Sequence, residues 1–216
     1  GSATAPADYL AASGTLTFAG GQTSQTIAVT VIGDNLVEPD ENLQVILSNP
    51  QGGSIATGSA TGTIVNDDSA SLSIDDVTQY EGLASRGAGA LTPFVFTVST
   101  SNPSASAMTV NFQTADGTAT APPDYVASNG TLTIAPGATS ATLVISVIPD
   151  TMVEADETFS VNLSAAVGAS IADAQGIGTI LGDDQPNPVP VNDPRALLLL
   201  MALMLSLASL NLARRR

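Results

Sequence analysis

Two stretches of this chain carry nearly the same residues in the same order. Residues 32–41 read Ile-Gly-Asp-Asn-Leu-Val-Glu-Pro-Asp-Glu, and residues 148–157 read Ile-Pro-Asp-Thr-Met-Val-Glu-Ala-Asp-Glu. Asp34 and Asp150, Glu38 and Glu154, Glu41 and Glu157, Asp8 and Asp124, and Asp67 and Asp183 all stand 116 positions apart, with no gap needed between residues 3–68 and 119–184. A repeat of this length is a domain written twice, so the fold must close within one repeat. The copies are unequal, because residues 69–116 have no counterpart upstream and Gly1-Ser2 stands where the second copy has Gly117-Thr118. The expected division is a partial domain at 1–68, lacking its N-terminal strands, a complete domain at 69–184, a linker at 185–195 and an apolar tail at 196–216. With neither an initiator Met nor a leader, the chain is read as part of a longer exported protein.

Within each copy apolar residues recur at period two. Ile27, Val29 and Val31 alternate with Thr26, Ala28 and Thr30, and Leu143, Ile145 and Val147 repeat the pattern, which is that of half-buried strands. Further strands are expected at 14–18 with 130–134, 42–47 with 158–163, and 62–65 with 178–181; the second copy adds 71–77, 93–98 and 108–114. Asp116-Gly117, Asn129-Gly130, Pro136-Gly137 and Gly20-Gly21 supply turn chemistry between them. Seven short strands with no amphipathic helix pattern indicate an all-β, immunoglobulin-like antiparallel β-sandwich.

Charge narrows the partners. Acids number 20 and bases 5, and four of the bases are Arg195 and Arg214 to Arg216, which leaves Arg86 alone in the body of the chain. Such a body repels nucleic acid and anionic membrane surfaces and attracts cations. The absence of Cys and His removes disulfides, zinc sites, thiol nucleophiles and imidazole bases. Trp is missing too, which counts against a sugar-binding platform.

The acids gather at strand ends. Asp34 and Asp150 follow strands, Glu38, Glu41, Glu154 and Glu157 lie in the next loop and strand start, and Asp67-Asp68 and Asp183-Asp184 close the last strand. Calcium takes about six to eight oxygen ligands in a flexible shell, so loop carboxylates converging at one end of a sandwich suit it. Acids that merely solvate the loop tips are the alternative.

The runs Ala-Thr-Ala-Pro-Ala-Asp-Tyr at 3–9, Ser-Gly-Thr-Leu-Thr-Phe at 13–18, the acids of 34–41 and Thr-Ile-Val-Asn-Asp-Asp at 63–68 resemble the Calx-beta domain of sodium/calcium exchangers and bacterial surface proteins. The second copy repeats each piece. The resemblance implies Ca2+ ligands at Glu81, Asp124, Asp150, Glu154, Glu157, Asp183 and Asp184, with the Met152 carbonyl as a further donor, and at Asp8, Asp34, Glu38, Glu41, Asp67 and Asp68 in the first copy, which lacks a partner for Glu81. Gly33, Asn66, Pro149 and Gly182 stand where calcium-rich members carry aspartates, implying one or two ions per domain and affinity of order 10⁻⁴ to 10⁻³ M. Tyr9 and Tyr125 are read as packing residues.

After Asp184 comes a Pro- and Asn-rich linker, then residues 196–213 without a charge, then three arginines. At 1.5 Å per residue such a segment reaches about 27 Å as a transmembrane helix, with the arginines cytoplasmic and the sandwiches outside. Its layout resembles the PEP-CTERM and IPTL-CTERM sorting signals, although Asn192 and Arg195 depart from the latter pattern; the resemblance implies a sorting protease, and an uncut membrane anchor is the alternative. The function expected is that of a non-enzymatic calcium-binding module on a bacterial cell surface, adhering to other surface proteins or matrix with calcium stiffening the tandem domains. The competing readings are an inert spacer for an N-terminal module and part of a secreted hydrolase using paired carboxylates.

Overall fold

The computed structural model describes residues 1–82 and 90–184. The first copy contributes β1 (Glu41–Ile46) and β2 (Ser59–Ile64). The second contributes β3 (Ser71–Ile74), β4 (Val77–Tyr80), β5 (Thr92–Thr100), β6 (Met108–Asp116), β7 (Asn129–Ile134), β8 (Ser140–Val147), β9 (Glu157–Val167), β10 (Ser170–Asp173) and β11 (Gln175–Leu181). The second-copy strands form two sheets, in the orders β10-β3-β5-β8 and β4-β11-β9-β6-β7.

Period two becomes burial. Phe94, Phe96 and Val98 on β5 and Leu143, Ile145 and Val147 on β8 point inward, against Phe159, Val161 and Leu163 of β9 and Met108 and Val110 of β6. Phe159 is the hub, with the rings of Tyr125, Phe94 and Phe96 at 4.6, 5.8 and 6.0 Å between centroids. Burying side chains of this size stabilises the fold by about 1.5–3 kcal/mol each. Gly178 on the neighbouring strand is what admits the Phe159 ring, since a Cβ there would run into it.

The sandwich is not wholly antiparallel, as the alternation alone had suggested. The expected strand at 71–77 is two, β3 and β4, lying in different sheets, and β10 pairs with β3 and β4 with β11 in parallel. Asp75 and Asp76 make the crossing: Asp75 Oδ1 accepts the Thr97 N–H of one sheet and Asp76 Oδ1 the Ile177 N–H of the other, both at 2.7 Å. Asn129-Gly130 does not turn but opens β7, where Gly130 lies against the Phe112 ring. Gly137 and Gly21 do sit at turns with positive φ, 74° and 88°.

In the first copy, β1 and β2 keep the register of β9 and β11: Glu41 lies opposite Ile64 as Glu157 lies opposite Ile180. Isolated bridges join Tyr9 to Val31 and Tyr125 to Val147 in the same way. Yet 14–18 and 25–32, expected as strands, are not strands. The strands that their counterparts β7 and β8 pair with are β6 and β5, both inside 69–116, which has no counterpart within residues 1–68. Phe18, Ile27 and Val31 are therefore 55, 41 and 50% exposed where Ile134, Leu143 and Val147 are 1, 5 and 0%.

The copies touch through Val37. Its N–H donates to the Pro103 carbonyl, and its carbonyl accepts from the Ala105 N–H, both at 3.0 Å, and from Ser104 Oγ at 3.1 Å. The expected linker at 185–195 and membrane helix at 196–213 lie outside the described residues, among which no helix is long and apolar enough to cross a membrane.

Candidate metal centre

The acidic loops are shaped by their own side chains. Asp150 Oδ1 accepts the Met152 N–H at 2.6 Å and Asp34 Oδ1 the Leu36 N–H at 2.8 Å, so each aspartate turns the chain two residues on. Asp124 Oδ2 accepts the Thr120 N–H at 2.7 Å and Thr120 Oγ1 at 3.3 Å, and Asp8 does the same with Thr4 at 2.5 and 3.1 Å. Asp156, although exposed, accepts the Gly182 N–H at 3.2 Å, as Asp40 accepts that of Asn66 at 3.0 Å. These bonds use residues present in both copies, so the first copy keeps its acidic end although its sandwich is open.

Three groups of carboxylates come together among the described residues, each with one oxygen per residue inside a 4.8 Å span. Asp124, Glu154 and Glu157 form one, and Asp8, Glu38 and Glu41 form its equivalent 116 positions earlier. Glu81, Asp150 and Asp184 form the third, found in the second copy alone. Asp183 adjoins it. Asp34, Asp67 and Asp68 do not join a first-copy group of three; with Asp8, Glu38 and Glu41 they line an open hollow of about 370 Å³, Asp67 at its exposed rim. Met152 is exposed on the loop between Asp150 and Glu154.

Crowding without a counter-charge shows in the titration of the glutamates. Burial pushes Glu81, only 7% exposed, up to about 7, with Asp150, Asp183, Asp184 and Glu154 adding to the rise. Burial, then Asp150, Asp124 and Asp184, raises Glu154; burial, then Asp124 and Glu154, raises Glu157. Glu38 rises through burial and then Asp8, Asp34 and Asp68, and Glu41 through burial and then Asp8. Asp8 is held below its ordinary value, chiefly by the Thr4 N–H. No described residue is Lys, Arg or His. Asp183 Oδ1 and Asp184 Oδ2 are buried with no hydrogen-bond partner, an arrangement that costs several kcal/mol per unpaired charge unless a cation answers it.

Two supporting residues escaped the sequence reading. Asp116 Oδ1 accepts the Tyr125 hydroxyl at 2.6 Å and the Ala121 N–H at 3.1 Å, which fixes the loop carrying Asp124. Burial and this bond push the Tyr125 hydroxyl up to about 12, in keeping with the packing role expected for it. Thr92 Oγ1 donates to the Glu81 carbonyl and anchors that residue to β5. The Asp116-Gly117 dipeptide was the available signal for the first, but it reads as a turn; a side-chain contact 9 positions away leaves no mark in local sequence.

Sequence comparison gives 41% identity over 68 residues to sodium/calcium exchanger 1 of Canis lupus familiaris, covering 32% of this chain and 7% of the exchanger. Sodium/calcium exchanger 2 of Rattus norvegicus is 40% identical over 77 residues, 36% of this chain and 8% of that protein. The chain thus spans less than a tenth of the length of these relatives. The crystal structure of the apo-form Calx CBD1 domain matches with a TM-score of 0.47 and 26% identity, over 54% of this chain and 100% of that one. The family model of the Calx-beta domain matches residues 1–69 and again 73–183, one match for each copy of the repeat, and the chain belongs to the Calx-beta family.

Proposed function

We propose that this chain is a non-enzymatic calcium-binding module of an exported bacterial surface protein, in which bound ions stiffen tandem β-sandwiches. The observation that carries the reading is the repeated trio: the same three acids, at the same offset, bring their oxygens within 4.8 Å of one another in both copies. Ligands at about 2.3–2.6 Å from one calcium ion lie up to about 5 Å apart, so each trio fits a single ion. The unpartnered oxygens of Asp183 and Asp184 fit the same chemistry. Asp124, Glu154 and Glu157 would hold one ion, and Glu81, Asp150, Asp183 and Asp184 a second. Asp8, Glu38 and Glu41 would hold the first-copy ion, with Asp34, Asp67 and Asp68 around the hollow. The relatives are by name sodium/calcium exchangers.

Stiffening follows from sequence adjacency. Val37, which bridges to Ser104, is bonded directly to Glu38, and only Ser69-Ala70 separates the last acid of the first copy from β3. An ion on Glu38 therefore restrains the residue that joins the copies. Read as a sorting signal with a cytoplasmic arginine end, the tail supports a rod held at the cell surface, where adhesion to other proteins or matrix is the role. A second reading, an inert spacer, is favoured by one feature: the Val37 bridge is made of backbone and hydroxyl hydrogen bonds alone and needs no ion.

Calcium titration of the chelated protein, followed by thermal melts, tests the ion. At 100 times the dissociation constant the expected gain is about 2.7 kcal/mol; equal midpoints in chelator and in 10 mM calcium, of order ten times the weak end of the expected range, reject it. Small-angle scattering then separates rod from spacer, because stiffening narrows the distance distribution in calcium and a spacer leaves it unchanged. Mass spectrometry of the surface protein tests the tail: a C-terminus within residues 189–194 supports sorting cleavage, and recovery of Arg216 rejects it.

A further inference from the structure

Asp124, Glu154 and Glu157 bring like charges within 4.8 Å of one another, so the loop that carries Asp124 needs bracing against their repulsion. Tyr125, the next residue, is the brace. Its ring is 1% exposed and stacks on Phe159 at 4.6 Å between centroids and 18° between planes. Phe159 follows Glu157 and Thr158 on β9, and Asp116 stands opposite Phe159 in the β6–β9 ladder. The Tyr125 hydroxyl closes this triangle by donating to Asp116 Oδ1 at 2.6 Å, and the same oxygen accepts the Ala121 N–H at 3.1 Å. One carboxylate oxygen thus ties both ends of residues 121–125 to the end of β6. The preceding residues are stitched to β9 beside Glu157: the Ala119 N–H donates to the Thr158 carbonyl at 2.9 Å, and the Thr158 N–H to Thr118 Oγ1 at 2.8 Å. Gly117 permits that approach, since a Cβ there would run into the Thr158 carbonyl.

We propose that Asp116 and Tyr125 are positioning residues for calcium, a latch that holds Asp124 against Glu154 and Glu157 so that the ion meets a site already formed. The proposal deepens the calcium reading and rests on it. Asp116 belongs to none of the three carboxylate groups, and the Tyr125 hydroxyl is taken up by Asp116, so both act through Asp124. An ionised acceptor makes the stronger bond to a hydroxyl, which suits a carboxylate to this place although its charge adds to the local repulsion. A site ordered by the fold loses less freedom when the ion binds, and that saving appears as affinity. Asp124 is held at three further points: Oδ2 accepts the Thr120 N–H at 2.7 Å, its own N–H donates to the Thr120 carbonyl at 3.0 Å, and its carbonyl accepts the Ile148 N–H at 2.8 Å. The Thr120 amide therefore reports whether Asp124 is in place.

The test compares the full chain with Asp116→Ala, Asp116→Asn and Tyr125→Phe, the last of which keeps a ring stacked on Phe159. In chelator, hydrogen exchange at the Thr120 amide should quicken by about 5-fold in Asp116→Ala and Tyr125→Phe, as for the loss of one hydrogen bond. It should keep the parent rate in Asp116→Asn, whose amide oxygen still accepts both donors. Calorimetric titration with calcium should show the affinity of the trio lowered by about 10-fold in the first two and kept in the third. In a Glu154→Ala background, where that site is gone, Tyr125→Phe should leave the remaining calcium binding unchanged. A loss of affinity in Asp116→Asn as great as in Asp116→Ala would overturn the proposal, because Asp116 would then act by its charge or as a ligand. Unchanged Thr120 exchange in the Ala and Phe variants would overturn it too, as would equally faster exchange along the β5–β8 ladder, the mark of a bond that only stabilises the fold. A parent chain that takes up no calcium would overturn the function on which the proposal rests, and the Thr120 exchange, read in chelator, tells that failure from failure of the latch.

Discussion

Gly-Thr-Leu-Thr-Phe at 14–18 is not a strand, whereas Gly-Thr-Leu-Thr-Ile at 130–134 lies within β7. The two segments have almost the same propensity and pattern, and they differ in whether β6 is there to pair with. Strand formation is thus a property of the pair, as expected where a ladder and a buried face supply most of the stabilisation. The acidic ends make the opposite comparison. Asp8, Glu38 and Glu41 gather as Asp124, Glu154 and Glu157 do, because the β1–β2 register and the Asp8–Thr4 and Asp34–Leu36 bonds lie wholly in sequence that both copies possess. Among the described residues the trio is seen in both copies, and the packed core around the second.

Packing should separate the copies most. Phe159 and Leu43 are counterparts, both nearly buried, but only Phe159 touches the aromatic rings contributed by β5. Phe159→Ala should cost about 3–5 kcal/mol in urea unfolding, while Leu43→Ala should cost less than about 2 kcal/mol. Equal losses would mean that the first copy is as well packed as the second, and the contrast would fail.

Glu81 has no first-copy equivalent, which makes pH the next discriminator. It keeps its proton up to about 7 in the fold against an ordinary 4.5, so between those values the folded state binds more protons than the unfolded one. Unfolding free energy therefore falls as pH rises, and the loss is complete above about 7. Each tenfold gain in proton affinity is worth about 1.4 kcal/mol, which makes the full effect of order 3 kcal/mol. Urea midpoints measured in chelator from pH 5 to 8 should decline, Glu81→Gln should flatten most of the decline, and a level profile in the unsubstituted protein would show that Glu81 is not desolvated as described. Calcium, which favours the charged carboxylate, should reverse the slope.

Ligand substitutions come third. Glu154→Ala or Asp183→Ala should remove much of the roughly 2.7 kcal/mol gained at a hundredfold excess of calcium over its dissociation constant. In chelator each variant should be as stable as the parent or more so, because like charges separate. Glu38→Ala should remove the first-copy ion and leave calcium bound at the second-copy acids. Asp156→Asn is the suitable comparison, since an amide oxygen still accepts the Gly182 N–H. Equal destabilisation with and without calcium would make Glu154 and Asp183 structural.

Much of this was legible in the chain, and the remainder was hidden for physical reasons. Alternation placed β5, β6, β8 and β9 and the buried side chains of each, and the constant offset matched each acid of one copy to its counterpart in the other, while the grouping of three in each copy is seen only in the structure. The split at Asp75-Asp76 was not legible, because a strand that changes sheets keeps its period and shows only two acids that also suit a surface turn. The parallel pairings of β10 and β4 depend on chain crossovers that no local pattern records. At the site, the family resemblance implied Glu81 beside Asp150 and Asp184; no local pattern does so, because Glu81, at the end of β4, meets them through the parallel pairing of β4 with β11.

The smallest effect belongs to the join between the copies. Ser104 is 4% exposed; its Oγ donates to the Val37 carbonyl and accepts the Ser106 N–H, each at 3.1 Å. Ser104→Ala should cost about 1 kcal/mol, because the Ala105 N–H continues to hold the same carbonyl at 3.0 Å. The readout is exchange at the Val37 amide, which donates to Pro103 across the join. It should quicken in the variant while amides between β5 and β8 stay unchanged, and calcium bound beside it on Glu38 should shrink the difference. A Val37 amide that already exchanges like free peptide in the unsubstituted protein would dissolve the join, and with it the expectation that an ion in the first copy is felt by the second.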